Sequence, residues 1–473
     1  MPRFVVTLLG ARMHYAVPAI LARAGLLERF YTDLCGRPGM WPELLTRLPG
    51  IGGTEFARRI RSRKPPEVIP TSAIRAAQLF GLRYPIQLRL SKGEPHATFL
   101  WAGKQFCREV LAGGFGQARA VFTYNHAGLE VLAAARTRGL RCVTEQTIAP
   151  LAIEREILSQ ECDDFAPWSP SPFAQDSQAI RDLIAREQAE WNEAHLILCG
   201  SQFVVDGIAK VGGPVDRCAV VPYGVDFNAD LSAPLPRKDF SNRPLRVLTV
   251  GQVGLRKGSP WVVRTAELMK GRAEFRLVGP SPLPADRLRP LLGPAEWTGA
   301  VPRSEVKKHF EWADVFYLPS MCEGSATVTY EALACGLPMA VFSPIPGQEE
   351  RNSDHLLEQG AAIKCNELTS MPFKIDALLQ DPARLAAMRA SARAMGRPHA
   401  ARTVVKTLLK DNLPPLVLEA EQRKAARLLA DEYAEDAVKK AKEGATLGAL
   451  LTAYVQQLRR DEKTSAREVE RAI

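Results

Sequence analysis

One pattern constrains this chain more than any other. Short apolar runs alternate with helical stretches, and the alternation occurs twice, once on each side of a proline-rich break. In the first half, Phe4 to Leu9 is an apolar run ending at Gly10, and AVPAILARAGLLERF reads as the following helix. ARAVFT is a strand, GLEVLAAARTRG a helix and LRCVTEQ a strand. SQAIRDLIAREQAEWNEA is a long polar helix, HLILCG a strand, and Ser201 caps a further helix before the strand AVVPYGV. Residues 231–244, LSAPLPRKDFSNRP, read as a linker. The alternation then restarts with LRVLTVG, SPWVVRTAELMKG, FRLVG, RSEVKKHFEWA, DVFYLPS, a helix within EGSATVTYEALACGLP, and MAVFS. Strands alternating with helices imply parallel sheets covered on both faces. The expected class is therefore α/β: a Rossmann-like domain over 1–235 and a second over 244–400, facing a central cleft. Residues 401–473 form a helical C-terminal extension.

Length agrees, since 473 residues suit two or three domains. Nine cysteines, scattered and without a CxxC pair, fit reduced thiols in the cytoplasm and argue against a disulfide framework or zinc site. The net charge of +10 fits nucleotide diphosphates, an anionic lipid surface or nucleic acid as partner, or simple solubility. Aromatic content of 7% argues against a nucleic-acid reading surface. MPRFVVTLLGARMH does not read as a signal peptide, and no run approaches a membrane span. A cytoplasmic protein is expected, with peripheral contact at the inner face of the cell membrane as a further option. In the extension, Leu447, Leu450, Leu451, Tyr454, Val455 and Leu458 follow helical spacing behind Thr446 as cap. Packing on the body, oligomerisation and membrane contact are the roles open to it.

The stretch Glu323 to Pro338 carries the chemistry. A strand ending at Ser320 delivers Glu323 to the end of the sheet where ligands sit. Gly324, Ser325 and Ala326 are small, so backbone N–H groups approach a ligand closely. A helix starting near Thr327 and Val328 offers free N–H groups and a positive dipole end to a diphosphate. Glu331, one turn in, suits the two hydroxyls of a ribose, and Glu323 those of a transferred sugar. Gly336 and Pro338 stop the helix. The plainer alternative makes both glutamates solvated acids.

The segment resembles the Glu-x7-Glu signature of family 4 of the retaining glycosyltransferases, which have the GT-B architecture. Ala326 stands where that family usually has a second glycine. VVPYGVD, VLTVGQVGLRKG, EWTGAVPRSEV and ADVFYLPS resemble further family segments in the same order. The resemblance implies a basic pair for the diphosphate. Lys257 matches its lysine, Gln252 occupies the usual arginine position, and Arg256 lies beside Lys257; a solvated turn is the alternative. Val301 matches the position whose backbone meets the base, and Gly10 the loop that approaches the donor from the other domain.

For the acceptor side, Gln146 occupies the place of a histidine the family often has near the reacting sugar. Glu145 is adjacent, and His14 and His126 are further candidates for the cleft. Glu323, His126 and Gln146 form the catalytic expectation. The resemblance implies transfer from a nucleotide-diphosphate sugar to a sugar or lipid-linked acceptor hydroxyl with retention, in polysaccharide or glycolipid assembly. It implies no prosthetic group and no metal, and no DxD motif occurs. An inactive homologue acting as a nucleotide-binding or scaffold subunit is the alternative, kept open by Gln252 and Gln146. A dinucleotide oxidoreductase is disfavoured, because no GxGxxG follows either opening strand. Residues 40–66 set Trp41, Leu44, Leu45, Leu48, Ile51 and Phe56 beside Arg58, Arg59, Arg61, Arg63 and Lys64, which suits an anionic bilayer or a solvated basic face.

Overall fold

The computed structural model describes residues 3–409 apart from 49–53, 92–94, 170–176, 225–242, 343–359, 366–372, 375–376, 378–379 and 395–399. The linker over 231–242 and the extension from 410 onward lie outside the described residues. The chain divides into a unit Pro2–Thr407 and a second comprising Met1 and Leu408–Ile473; both sheets belong to the former.

The first sheet has seven strands: β1 (Phe4–Leu8), β2 (Leu27–Thr32), β3 (Ile74–Ala76), β4 (Ala120–Tyr124), β5 (Arg141–Gln146), β6 (Leu196–Cys199) and β7 (Cys218–Val220). Their order is β3-β2-β1-β4-β5-β6-β7, and every pairing is parallel. The second has six: β8 (Leu245–Val250), β9 (Ala273–Val278), β10 (Glu296–Gly299), β11 (Val315–Tyr317), β12 (Met339–Phe342) and β13 (Ala362–Cys365). Their order is β10-β9-β8-β11-β12-β13, again all parallel. The expected α/β class with two Rossmann-like sheets is observed.

Helices cover the sheets, so central strands are apolar throughout; all five residues of β1 are buried. Val5, Val121, Phe106, Val110 and Leu132 form one core of the first sheet. Val247, Leu277, Val262, Met269 and Tyr317 form one of the second. The helix Leu151–Asp164 and the turn after it bridge the two, because Leu158, Phe165 and Trp168 are buried in that second core. The Phe165 and Trp261 rings meet edge-on at 5.1 Å, and Trp261 Nε1 donates to Glu161 Oε2 at 3.1 Å.

Two local readings are corrected. The first helix stops at Arg23 and does not continue through LLERF. Gly25 turns left-handed at φ 69°, Leu26 N–H bonds back to Leu21 O at 2.8 Å, and Leu27–Thr32 then pairs with β1 as β2. Ser201 does stand at the N-cap of the helix Gln202–Lys210, but its hydroxyl makes no capping bond.

Both sheets reverse their strand order next to their opening strand, at β1/β4 and at β8/β11. Loops diverge beyond the carboxyl ends at such a point and leave a crevice there. The turns after β1, β5, β8 and β11 therefore border one cleft.

Candidate functional site

That cleft has a volume of about 1840 Å³. From the second sheet it is lined by Arg256, Lys257, Val301, Glu323, Ser325, Ala326, Thr327, Val328 and Glu331. All nine were singled out from the sequence. Gln252, Gly10, His126 and Gln146 are not among its lining residues.

This wall forms because β11 ends at Tyr317 and hands the chain through Leu318, Pro319 and Ser320 to a loop before the helix Thr327–Ala334. Its N-cap residue, Ala326, has no side chain that could cap it, and its first turn lines the cleft. Gly336 closes it at φ 67°, with Leu337 N–H on Ala332 O at 3.0 Å. Glu323 sits between the two basic residues. Arg256 Nη1 lies 3.2 Å from its Oε1, and Lys257 Nζ bonds the same oxygen. Arg256 also donates to Cys322 O at 3.0 Å and reaches Glu154 at 3.9 Å. Burial opposes the charge on Glu323, but Lys257 and Arg256 outweigh it and hold the carboxyl below its ordinary value. Burial likewise opposes the Arg256 charge, and Glu323 and Glu154 reverse that and raise it. Glu154, with less compensation, is raised by burial. The basic pair and the first signature glutamate are thus each other's counter-ions.

The loop is pressed against the first sheet's turns. A Cβ built on Gly324 would fall 1.9 Å from Thr147 O, so only glycine fits there. A Cβ on Gly200 would fall 2.7 Å from Ser325 Cβ.

The opposite wall comes from Arg12, Met13, His14, Arg61, Lys64, Thr147 and Tyr223, among others. Met13, His14 and Tyr15 form a left-handed turn, with φ of 45°, 50° and 64°. Such backbone costs on the order of 1–3 kcal/mol per residue and collects at functional sites. Arg12 donates to Asn125 Oδ1 at 2.7 Å and Thr147 Oγ1 at 3.2 Å. Gly10 has φ 100°, and its N–H donates to the buried Asp33, which also pairs with Arg63 at 3.4 Å. Gly10 therefore anchors the turn from behind. Gln252 is exposed at the head of its loop.

Gln146 and His126 are placed differently from the expectation. Gln146 is fully buried and its amide is committed: it donates to Ile148 O at 3.0 Å and Glu187 Oε1 at 2.7 Å, and accepts from Trp191 Nε1 at 3.0 Å. His126 Nε2 lies 3.1 Å from Glu187. Burial opposes its protonation, but Glu187 and Glu190 prevail and raise its pKa. Both side chains serve an internal network instead of the cleft. Its organisers, Glu187 and Glu190, were missed. Glu190 accepts from the N–H groups of His126, Gly128 and Leu129 at 2.7, 2.9 and 3.1 Å, and so caps the helix Leu129–Thr137. Glu187 accepts from Leu151 N–H at 2.9 Å and caps the bridging helix. The signal was present, because both acids fall in the buried phase of one helix with Ile180, Leu183 and Trp191.

Among the described residues, no three His, Cys, Asp or Glu side chains are grouped as metal ligands. Among them, too, no helix is long and apolar enough to cross a membrane.

Residues 244–381 match the family model described as "Glycosyl transferases group 1". The chain is 35% identical over 82 residues to a processive diacylglycerol beta-glucosyltransferase of Bacillus cereus, covering 17% of this chain and 21% of that one. It is 27% identical over 271 residues to a GDP-mannose-dependent alpha-(1-6)-phosphatidylinositol monomannoside mannosyltransferase of Mycolicibacterium smegmatis, covering 52% and 66%. The chain thus spans about a fifth of the first relative and less than two thirds of the second. Anabaena HepE, solved with UDP and glucose, superposes over 86% of this chain and 99% of its own with a TM-score of 0.53 at 15% identity. Over residues 244–381 the chain matches a group 1 glycosyltransferase domain, and the two-sheet frame that holds it has the GT-B architecture.

Proposed function

We propose that this protein is a retaining glycosyltransferase of the family 4 type, moving a hexose from a nucleotide-diphosphate sugar to an acceptor hydroxyl in glycolipid or polysaccharide assembly. The observation that carries this is the meeting, on one cleft wall, of Glu323, Arg256, Lys257, an uncapped helix start and Glu331. In this reading residues 244–400 bind the donor and residues 1–235 the acceptor.

The pyrophosphate takes Arg256 and Lys257 from Glu323 and lies against the first turn at Ala326, Thr327 and Val328. Glu331 accepts from the ribose hydroxyls, and the backbone at Val301 meets the base. Glu323, released from its cations, accepts from hydroxyls of the sugar. The acceptor oxygen attacks the anomeric carbon on the face the diphosphate leaves, and the leaving phosphate takes the acceptor proton. Negative charge on the phosphates is met by Arg256, Lys257 and amide hydrogens, so no metal is required. Gly10 acts by shaping the opposite wall, and Gln146 and His126 through the network beneath it.

The names of the relatives support the substrate classes. One is GDP-mannose-dependent, HepE was solved with UDP and glucose, and two act on lipid-borne acceptors by name. A lipid-linked acceptor suits the described part of 40–66, in which Trp41, Leu44 and Leu48 are 42%, 47% and 49% exposed and Arg47 and Lys64 are exposed as well. Sedimentation with anionic vesicles, and not with neutral ones, is the expected result there.

The deciding experiment is a thermal shift against UDP, GDP, ADP and dTDP, followed by hydrolysis of the matching nucleotide sugar in EDTA. One nucleotide stabilises the fold, and turnover survives chelation. Binding without turnover would favour the scaffold alternative, and no binding would refute the donor site.

A further inference from the structure

A chain of contacts reaches the donor loop from a carboxyl that the proposed reaction does not use. Glu145 lies at the end of β5 and is 3% exposed. Its Oε1 accepts from Tyr223 Oη at 2.5 Å. Tyr223 follows β7 and lines the cleft. Its backbone N–H donates to Ser325 Oγ at 3.3 Å. Ser325 Oγ in turn lies 3.2 Å from the Tyr330 hydroxyl on the donor helix. Gly200 and Gly324 close the space around this seam, as their missing Cβ positions show. A shift of Tyr223 reaches Ser325 through their hydrogen bond, and Ser325, packed on Gly200, has little room to give.

We propose that Glu145 acts through Tyr223 as a positioning residue for the loop Glu323–Thr327, so that nucleotide binding follows the ionisation of a carboxyl that touches no ligand. This rests on the reading of the cleft as a donor site.

Among the described residues, four groups face Glu145. They are Tyr223 from the turn after β7, Tyr124 from β4, Arg12 from the turn after β1, and the Cys199 thiol of β6. Arg12 is the one full charge among them, and its guanidinium already serves Asn125 and Thr147. Burial pushes the Glu145 carboxyl up to about 7, against the Tyr223 hydrogen bond and Arg12, which lower it. The group thus changes charge near neutrality. Ionised, it holds the phenol by a charge-assisted hydrogen bond, roughly twice as strong as the neutral one. The loop is then held more firmly above pH 7 than below it.

The test is calorimetric titration with UDP and with GDP between pH 6 and 8, on the full chain and on the variants Glu145→Gln and Tyr223→Phe. The nucleotide's terminal phosphate also titrates near this range, and Glu145→Gln reports its contribution without the carboxyl. The unsubstituted chain should tighten by about three- to tenfold more than Glu145→Gln as pH rises. Tyr223→Phe, which keeps the backbone contact to Ser325 but lacks the hydroxyl, should show the same flattened profile. A purely structural role would lower thermal stability and leave the slope unchanged. Equal slopes in all three proteins, with nucleotide binding intact, would overturn the proposal. Absence of nucleotide binding at every pH would instead overturn the donor site beneath it.

Discussion

At the scale of the residue, Glu323 and Glu331 separate into two measurable roles. On the proposed donor reading, Glu331→Ala would remove acceptors for the ribose hydroxyls and should weaken nucleotide binding by about ten- to a hundredfold, as titration calorimetry would register. Glu323→Gln should behave in the opposite way. It frees Lys257 and Arg256 from their carboxylate, so UDP or GDP should bind at least as tightly while sugar transfer is lost. Weaker nucleotide binding in that variant would count against the exchange of partners. Gly324→Ala places a methyl 1.9 Å from a backbone oxygen, and backbone cannot swing aside. Transfer should fall with only modest loss of melting temperature. The cleft-lining run from Glu323 to Glu331 was legible in the sequence because it is one local motif. Gln146 and His126 were not, because their partners Glu187, Glu190 and Trp191 are 41 to 64 positions away.

At the scale of the element, nine of the thirteen described strands could be read from short apolar runs bounded by glycine or polar residues. The others show why the rest could not. β3 is three residues long, with one of them buried. β2 continues a helical apolar spacing straight past Gly25, and what makes it a strand is the neighbouring β1. Tertiary pairing overrides local pattern in such places. The left-handed turn Met13–Tyr15 was equally invisible, since nothing in RMHY calls for positive φ. It predicts that Met13→Gly relieves backbone strain of about 1–2 kcal/mol, offset by glycine's entropy in the unfolded chain. Stability in urea should be unchanged or slightly raised, whereas most glycine substitutions elsewhere would lower it.

At the scale of the whole molecule, Glu145 makes stability depend on pH. Its carboxyl titrates near 7 when folded, against an ordinary value of 4.5. Between those values the folded state binds more protons than the unfolded chain, so stability falls as pH rises through this window and is flat above it. Glu145→Gln lacks the effect. Denaturation at pH 5 and pH 8 should therefore differ between the two proteins by up to about 3 kcal/mol, with the unsubstituted chain losing more. The net charge of +10 points to an anion drawn in by a diffuse field that sodium chloride would blunt. The Lys257–Glu323–Arg256 triplet points elsewhere. On the proposed donor reading an incoming pyrophosphate would displace a tethered carboxylate and few mobile counter-ions there, so a plot of log affinity against log ionic strength should be shallow, and selection would follow how well the nucleotide replaces an acid the chain already carries.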